Sequence, residues 1–179
     1  NAAIQTQAIT ITNAPATTAT GDNANKPHGK ISIQSTDITA SQGGIIINSQ
    51  DALTLARGNL STNGNLELHG NQATLLENVN ANSQQHTAIS SNTNLGISGS
   101  HITSKGILSA QGEQDTSLKD SQLQGGALLV AAKKGNLELG NNLTLATKAT
   151  DLLGNDPKLA AINGSMTVKG NNDLVSVSY

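Results

Sequence analysis

A single aliphatic column runs through the chain at a constant step of 21, through Leu55, Leu76, Ile97, Leu118 and Leu139. A fixed period with an unbroken apolar column restricts a chain to a repeating coil, in which each unit buries its apolar side against its neighbours. Other columns keep the same step. Leu60, Ala81, Ile102 and Leu123 form one, and Leu68, Ile89, Ala110 and Ala131 form another, beside Leu66, Thr87, Leu108 and Leu129. Upstream, Ile31, Ile33, Ile38 and residues 45–47 fit once one extra residue is admitted before Leu53.

Within a repeat, apolar and polar residues alternate, as in Leu53-Thr54-Leu55, Leu66-Glu67-Leu68 and Leu137-Glu138-Leu139. Period two marks a strand with one face inward. The strand-like segments are short and are separated by Gly, Asn, Ser and Gln, which favour turns and break helices. Three such segments in each repeat, with like residues recurring in register, predict an all-β parallel β-helix in which each strand pairs with its equivalent one rung away. Parallel crossovers are overwhelmingly right-handed, and the hexapeptide repeat of left-handed coils is absent, so a right-handed helix is expected. Glycines at the segment ends, among them Gly44, Gly70 and Gly126, are expected at the corners, where a sharp turn needs positive φ.

Composition agrees with a thin solenoid. The 179 residues are 35% hydrophobic, low for a compact globule, but a narrow rung needs few buried side chains. Charged residues make up 12%, with 10 Lys and Arg against 12 Asp and Glu. They are scattered, so no basic stripe points to nucleic acid or an anionic membrane. Tyr179 is the one aromatic residue, which leaves no stacking platform for bases or sugar rings. The absence of cysteine excludes disulfides, thiolate metal sites and a cysteine nucleophile. No apolar run approaches the roughly 20 residues of a membrane span, so membrane insertion is not expected. The chain opens at Asn1 in mid-pattern, and residues 1–179 read as a single fragment of a longer array whose open strand edges permit end-to-end self-association.

Two stretches break the period. Residues 13–28 carry Pro15 and Pro27 among small polar residues and read as a protruding excursion. In residues 148–162, Asp156 and Pro157 are placed to cap and start a short helix through Lys158, Leu159, Ala160 and Ala161. Insertions of this kind decorate one face of a repeat protein. Asp22, Lys26, His28, Asp151, Asp156 and Lys158 are therefore the candidate partner-contact residues, and residues 165–168 and 173–177 resume the strand pattern.

Catalytic and metal chemistry finds little footing. His69, His86 and His101 are spaced 17 and 15 apart and share no ladder position, whereas a metal site needs converging ligands. Glu113, Asp115 and Asp120 are the densest acidic group, with Lys119 among them. Glycoside chemistry requires two acids close together across one sugar, and Asn94 and Gly99 stand one rung below Asp115 and Asp120. The calcium-binding Gly-Gly-x-Gly-x-Asp nonapeptide does not recur. No catalytic residue, metal ligand or cofactor is assigned.

The stretch SGSHITSKGILSAQGEQDTSLKDSQLQGGALLVAAKKGNLEL, residues 98–139, and GNLSTNGNLELHG, residues 58–70, resemble the repeats of filamentous-haemagglutinin-like exoproteins. That family includes bacterial adhesins and contact-dependent growth inhibition effectors secreted by two-partner systems. The resemblance spans about residues 31–145 and rests on a Gly-x-Leu-x-Leu phrase recurring in register with Gly-Ser and Gln-Gly-Gly corners. It implies a β-helical shaft, secreted or at the bacterial cell surface, that passes through an outer-membrane secretion pore during export. The expected function is a non-enzymatic stiff spacer that contributes to cell attachment, with a host or neighbouring-cell receptor or glycan as partner. Receptor recognition through the excursions is the alternative, and a polysaccharide-active β-helical enzyme the third reading.

Overall fold

A computed structural model describes residues 2–13 and 29–147, together with the backbone of strands Lys158–Ala161, Met166–Val168 and Val175–Ser178. These residues form a parallel β-solenoid with three walls. One turn shows the plan: Leu53–Ala56 lies in the first wall, Asn59–Thr62 in the second and Leu66–Gly70 in the third. The chain then returns to the first wall with Thr74–Glu77. Every wall is a parallel sheet, of seven strands in the first and third and eight in the second, and neighbours in each sheet are three strands apart in sequence. The coil is all-β, and each rung takes about 21 residues. No helix occurs among the described residues.

The aliphatic column lies where the period puts it. Leu55 pairs with Leu76, Leu76 with Ile97, Ile97 with Leu118 and Leu118 with Leu139, and the column of paired positions continues to Ile33 at one end and Val168 at the other. All five of its central members are buried. Alternation turns their sequence neighbours outward, which is why a strand with so few residues still contributes two core side chains.

Buried hydroxyls form columns of their own. Thr62, Ser83 and Ser104 stand one above another at the end of the second wall, all buried. Their hydroxyls donate to the carbonyls of Gly43, Gly64 and Gln85, respectively, at 2.6, 2.8 and 2.6 Å. Each hydroxyl thus ties a strand end to a corner in the rung below, satisfying a polar group that burial would otherwise penalise. Thr87 is the exception. It is buried between Leu66 and Leu108, and its Oγ1 has no hydrogen-bond partner.

The corners revise the expected role of glycine. The turn from the first wall to the second carries a left-handed residue in rung after rung: Ser35, Arg57, Asn78, Gly99, Asp120 and Asn142, with φ between 49° and 58°. Only one of these is glycine. Asn and Asp tolerate this region better than most residues, and the position accepts Ser and Arg as well. Gly44, Gly70 and Gly126 are needed for a different reason. A Cβ at these positions would lie 2.6 Å from the Asn65 carbonyl oxygen, 2.2 Å from that of Ala73 and 2.3 Å from that of Lys105. Close backbone approach between adjacent segments, rather than positive φ, excludes a side chain there.

The extra residue expected before Leu53 is present, and two further corrections follow. The extra residue upstream falls in the corner between Thr36–Ala40 and Ile45–Ser49: Ile38 pairs with Leu60 at a step of 22, whereas Ile45 pairs with Leu66 at 21. At Gly125-Gly126 the corner is one residue shorter, so Leu108 pairs with Leu128 and Ala110 with Val130. Leu129 and Ala131, which a strict period assigns to the core columns, instead stand beside Ser109 and Gln111, although Ala131 is still buried. A one-residue slip exchanges the two faces of a strand, and Gly126 permits it by letting the backbone pass Lys105. The chain regains the residue before Leu137, which pairs with Thr116 at 21. Finally, Lys158–Ala161 is a strand paired with Ala127–Ala132, not a helix. The open edge of the third wall supplies a full ladder, which outweighs a local capping preference worth about 1 kcal/mol.

One corner alternates between two solutions. Where the third wall ends in Ser49 or Ser91, the next first-wall strand opens with Leu53 or Leu95; where it ends in Gly70 or Gly112, the strand opens with Thr74 or Thr116. In the glycine rungs the threonine Oγ1 accepts the glycine N–H at 2.8 Å and donates to the carbonyl of Ser90 or Ala131. In the serine rungs the serine hydroxyl itself donates to a corner carbonyl, Ala52 or Gln72, at 2.8 Å. Across these four rungs the corner thus repeats every second rung.

Excising residues 53–94 should therefore join Ser49 to Leu95 in a matched corner, whereas excising 53–73 places Ser49 before Thr74. The shorter deletion is expected to melt at the lower temperature although it keeps more rungs, a comparison thermal circular dichroism can make. Thr87→Val removes the unpartnered hydroxyl while keeping the β-branched shape, and should raise unfolding free energy by about 1 kcal/mol. A neutral or destabilising result in urea denaturation would contradict that reading.

Candidate functional surfaces

The acidic group singled out from the sequence lies across successive corners. Glu113 meets two lysines of the next rung, its Oε2 3.4 Å from Lys133 Nζ and its Oε1 3.3 Å from Lys134 Nζ. Asp115 Oδ1 accepts the Asn136 N–H at 2.8 Å, and the amide of Asp115 donates in turn to Asn94 Oδ1 at 3.2 Å. Asp120 Oδ1 accepts Asn142 Nδ2 at 3.1 Å. Each carboxylate is engaged by the neighbouring rung. The fold uses these acids as inter-rung clasps.

The histidines are also separated. His69 Nδ1 lies 2.8 Å from Ser90 Oγ, and His86 Nδ1 accepts the Ile107 N–H at 2.9 Å while the His86 backbone N–H donates to Asn65 Oδ1. His101 is exposed on the second wall. Among the described residues no three His, Asp or Glu side chains are grouped to hold a metal ion.

Of the candidate partner-contact residues, Asp22, Lys26, His28, Asp151 and Asp156 lie outside the described residues, and Lys158 is placed only as the first residue of its strand. The base of the first excursion is described. Asn13 Nδ2 donates to the Gly29 carbonyl at 2.7 Å, and its Oδ1 accepts the Gln50 N–H at 2.7 Å. One amide thus clips the departing and returning chain together and anchors both to the next rung. Sequence reasoning passed over this residue, because a single Asn at a loop boundary carries no periodic signal.

The outer face of the first wall is the most differentiated surface. Leu75, the most exposed large hydrophobic among the described residues, leans over Gly96, with its Cδ1 3.0 Å from where a Gly96 Cβ would sit. Around them a shallow groove of about 260 Å³ is lined by Leu75, Glu77, Gly96, Ser98, Ser117 and Lys119. Glu77 and Lys119 are each one rung from Ser98, on opposite sides of it. By contrast, the outward positions of the second wall between Asn59 and Gln124 are amides and hydroxyls apart from His101, and include Ser61, Asn80, Asn82 and Thr103.

No family model, curated protein or solved structure matches this chain.

Hydrogen bonding from Lys134, and then from Lys133, holds the Glu113 carboxyl below the usual glutamate range. A carboxyl with a depressed folded pKa stabilises the fold above its unfolded pKa and loses that contribution as pH falls through the folded value. Glu113→Gln should accordingly melt slightly below the parent chain at pH 7, the effect being small for an exposed pair. The gap should close once the pH drops below the glutamate range, and a gap that persists there would show that the clasp is not electrostatic.

Proposed function

We propose that this chain is a non-enzymatic shaft segment of a large secreted bacterial surface exoprotein of the filamentous-haemagglutinin-like kind, an adhesin or contact-dependent inhibition effector. Its work is mechanical. The observation that carries the reading is the uninterrupted column of paired positions from Ile33 to Val168, in register through seven strands of one wall. Three walls surround one core, so bending the rod in any direction requires stretching one hydrogen-bonded sheet while compressing the others. Such a rod holds a distal module away from the cell at a set distance of about 4.8 Å per rung.

The outer surface supports the same reading. Its densest acidic group is spent in clasps between rungs, and the outward positions of the second wall between Asn59 and Gln124 are amides and hydroxyls apart from His101. In the family resembled, repeats of this type form the shaft. Export as an unfolded chain through an outer-membrane pore also suits a protein with no cysteine to form premature disulfides.

The test is to place the chain between an outer-membrane anchor and a reporter binding module on a bacterial surface. Excising residues 53–94 should shorten reach and leave binding by the reporter intact, whereas a Gly/Ser linker of equal residue number should lose the defined reach. Saturable binding of the purified chain to cells or glycans, lost on removing residues 14–28, would favour receptor recognition instead. Turnover of a polysaccharide would overturn the non-enzymatic reading.

A further inference from the structure

We infer that the outer face of the first wall is a lateral self-association surface, on which a second copy of this chain docks antiparallel about a two-fold axis lying along strand Leu95–Ser98. An isologous contact requires that the surface complement itself under the rotation that relates the copies. For two faces laid against each other, the axis lies in the plane of contact. An axis along a strand exchanges the rung above with the rung below while keeping each position along the strand.

The residues satisfy that operation. Glu77 and Lys119 occupy one column, a single rung to either side of Ser98, and thus about 10 Å apart. Rotation brings Glu77 of each copy over Lys119 of the other, making two ion pairs. Within the described residues neither side chain has an ion-pair partner in its own chain, and both are exposed. The adjacent column reads Leu75, Gly96, Ser117. Gly96 sits on the axis, so no side chain separates the copies there. Rotation sets Leu75 of each copy opposite Ser117 of the other, and because Leu75 already leans toward Gly96, the two Leu75 side chains would converge over the paired glycines. The outer rungs raise no conflict: Ala56 falls opposite Gly140, and Thr54 opposite Glu138, so no like charges meet at these positions.

A small apolar centre inside a charged rim is the common anatomy of an interface, and the limited area places this one among weak, concentration-dependent contacts. Charge complementarity sets its orientation: a parallel arrangement would put Glu77 over Glu77 and Lys119 over Lys119. End-to-end joining of strand edges uses none of these side chains, and the test separates the two.

Sedimentation velocity of the full 179-residue chain across a concentration series should show a monomer–dimer equilibrium that weakens with added salt. Glu77→Lys and Lys119→Glu should each reduce association about tenfold or more, since each places like charges across both pairs. Mixing E77K with K119E, or combining both changes in one chain, should restore association. Both positions are exposed, as is Leu75, and melting should be unchanged, so loss of dimer would not reflect loss of fold. Leu75→Ser should weaken the dimer without altering its salt dependence. A chain monomeric throughout, or a dimer indifferent to both charge reversals, would overturn the proposal.

Discussion

In-register pairing of each strand with its equivalent one rung away is the constraint on which the rest of this molecule depends. Parallel ladders impose it on all three walls at once, so a side chain inherits both its neighbours and its exposure from its column. Leu76 is buried because Leu55 and Ile97 are. The same constraint excludes large rings from the core, since a bulky residue in one rung demands space from two others, and it explains how a chain only 35% hydrophobic stays ordered.

Polar groups complete what the aliphatic columns begin. The hydroxyls of Thr62, Ser83 and Ser104 close strand ends onto corner carbonyls, and the alternation of serine with glycine and threonine gives two ways to satisfy one corner. Asn, Asp and His side chains extend the ladders beyond the backbone, as in the run from Asn94 through Asp115 to Asn136. Stability is therefore distributed. Each rung contributes a few buried aliphatics and a few clasps, and no single feature dominates, as expected of a quasi-one-dimensional array.

Function in such an architecture follows from what the walls leave free. Glu113, Asp115 and Asp120 are occupied at their corners, and the second wall is polar along its middle rungs. The first wall is where the column rule yields a distinct surface: an apolar residue beside a glycine, bracketed by opposite charges. A shaft that associates laterally through this face would be stiffer as a pair than alone, and its antiparallel geometry would set how neighbouring shafts pack.

Much of the architecture was legible in the residues because register converts sequence spacing directly into spatial contact: a step of 21 is a neighbour one rung away. Leu55, Leu76, Ile97, Leu118 and Leu139 could be placed in the core on that ground alone. The surface was less legible, since Glu77 and Lys119 stand two full periods apart in the chain and acquire meaning only when the coil sets them either side of Ser98. Tertiary packing also decided the points at which local signals conflict with the ladder. Lys158–Ala161 is a strand despite a helix-start signal, because an open sheet edge offers more hydrogen bonds than a cap does. Leu128 and Val130 take the register positions that a strict period gives to Leu129 and Ala131, although Ala131 is still buried, because Gly126 allows the backbone to approach Lys105 and shortens the corner by one residue. Periodicity in the residues was enough to dictate a solenoid, since equal spacing and parallel pairing are the same statement. Corner lengths, and with them the face each side chain occupies, were settled only in the folded coil, by how closely adjacent backbones can pass.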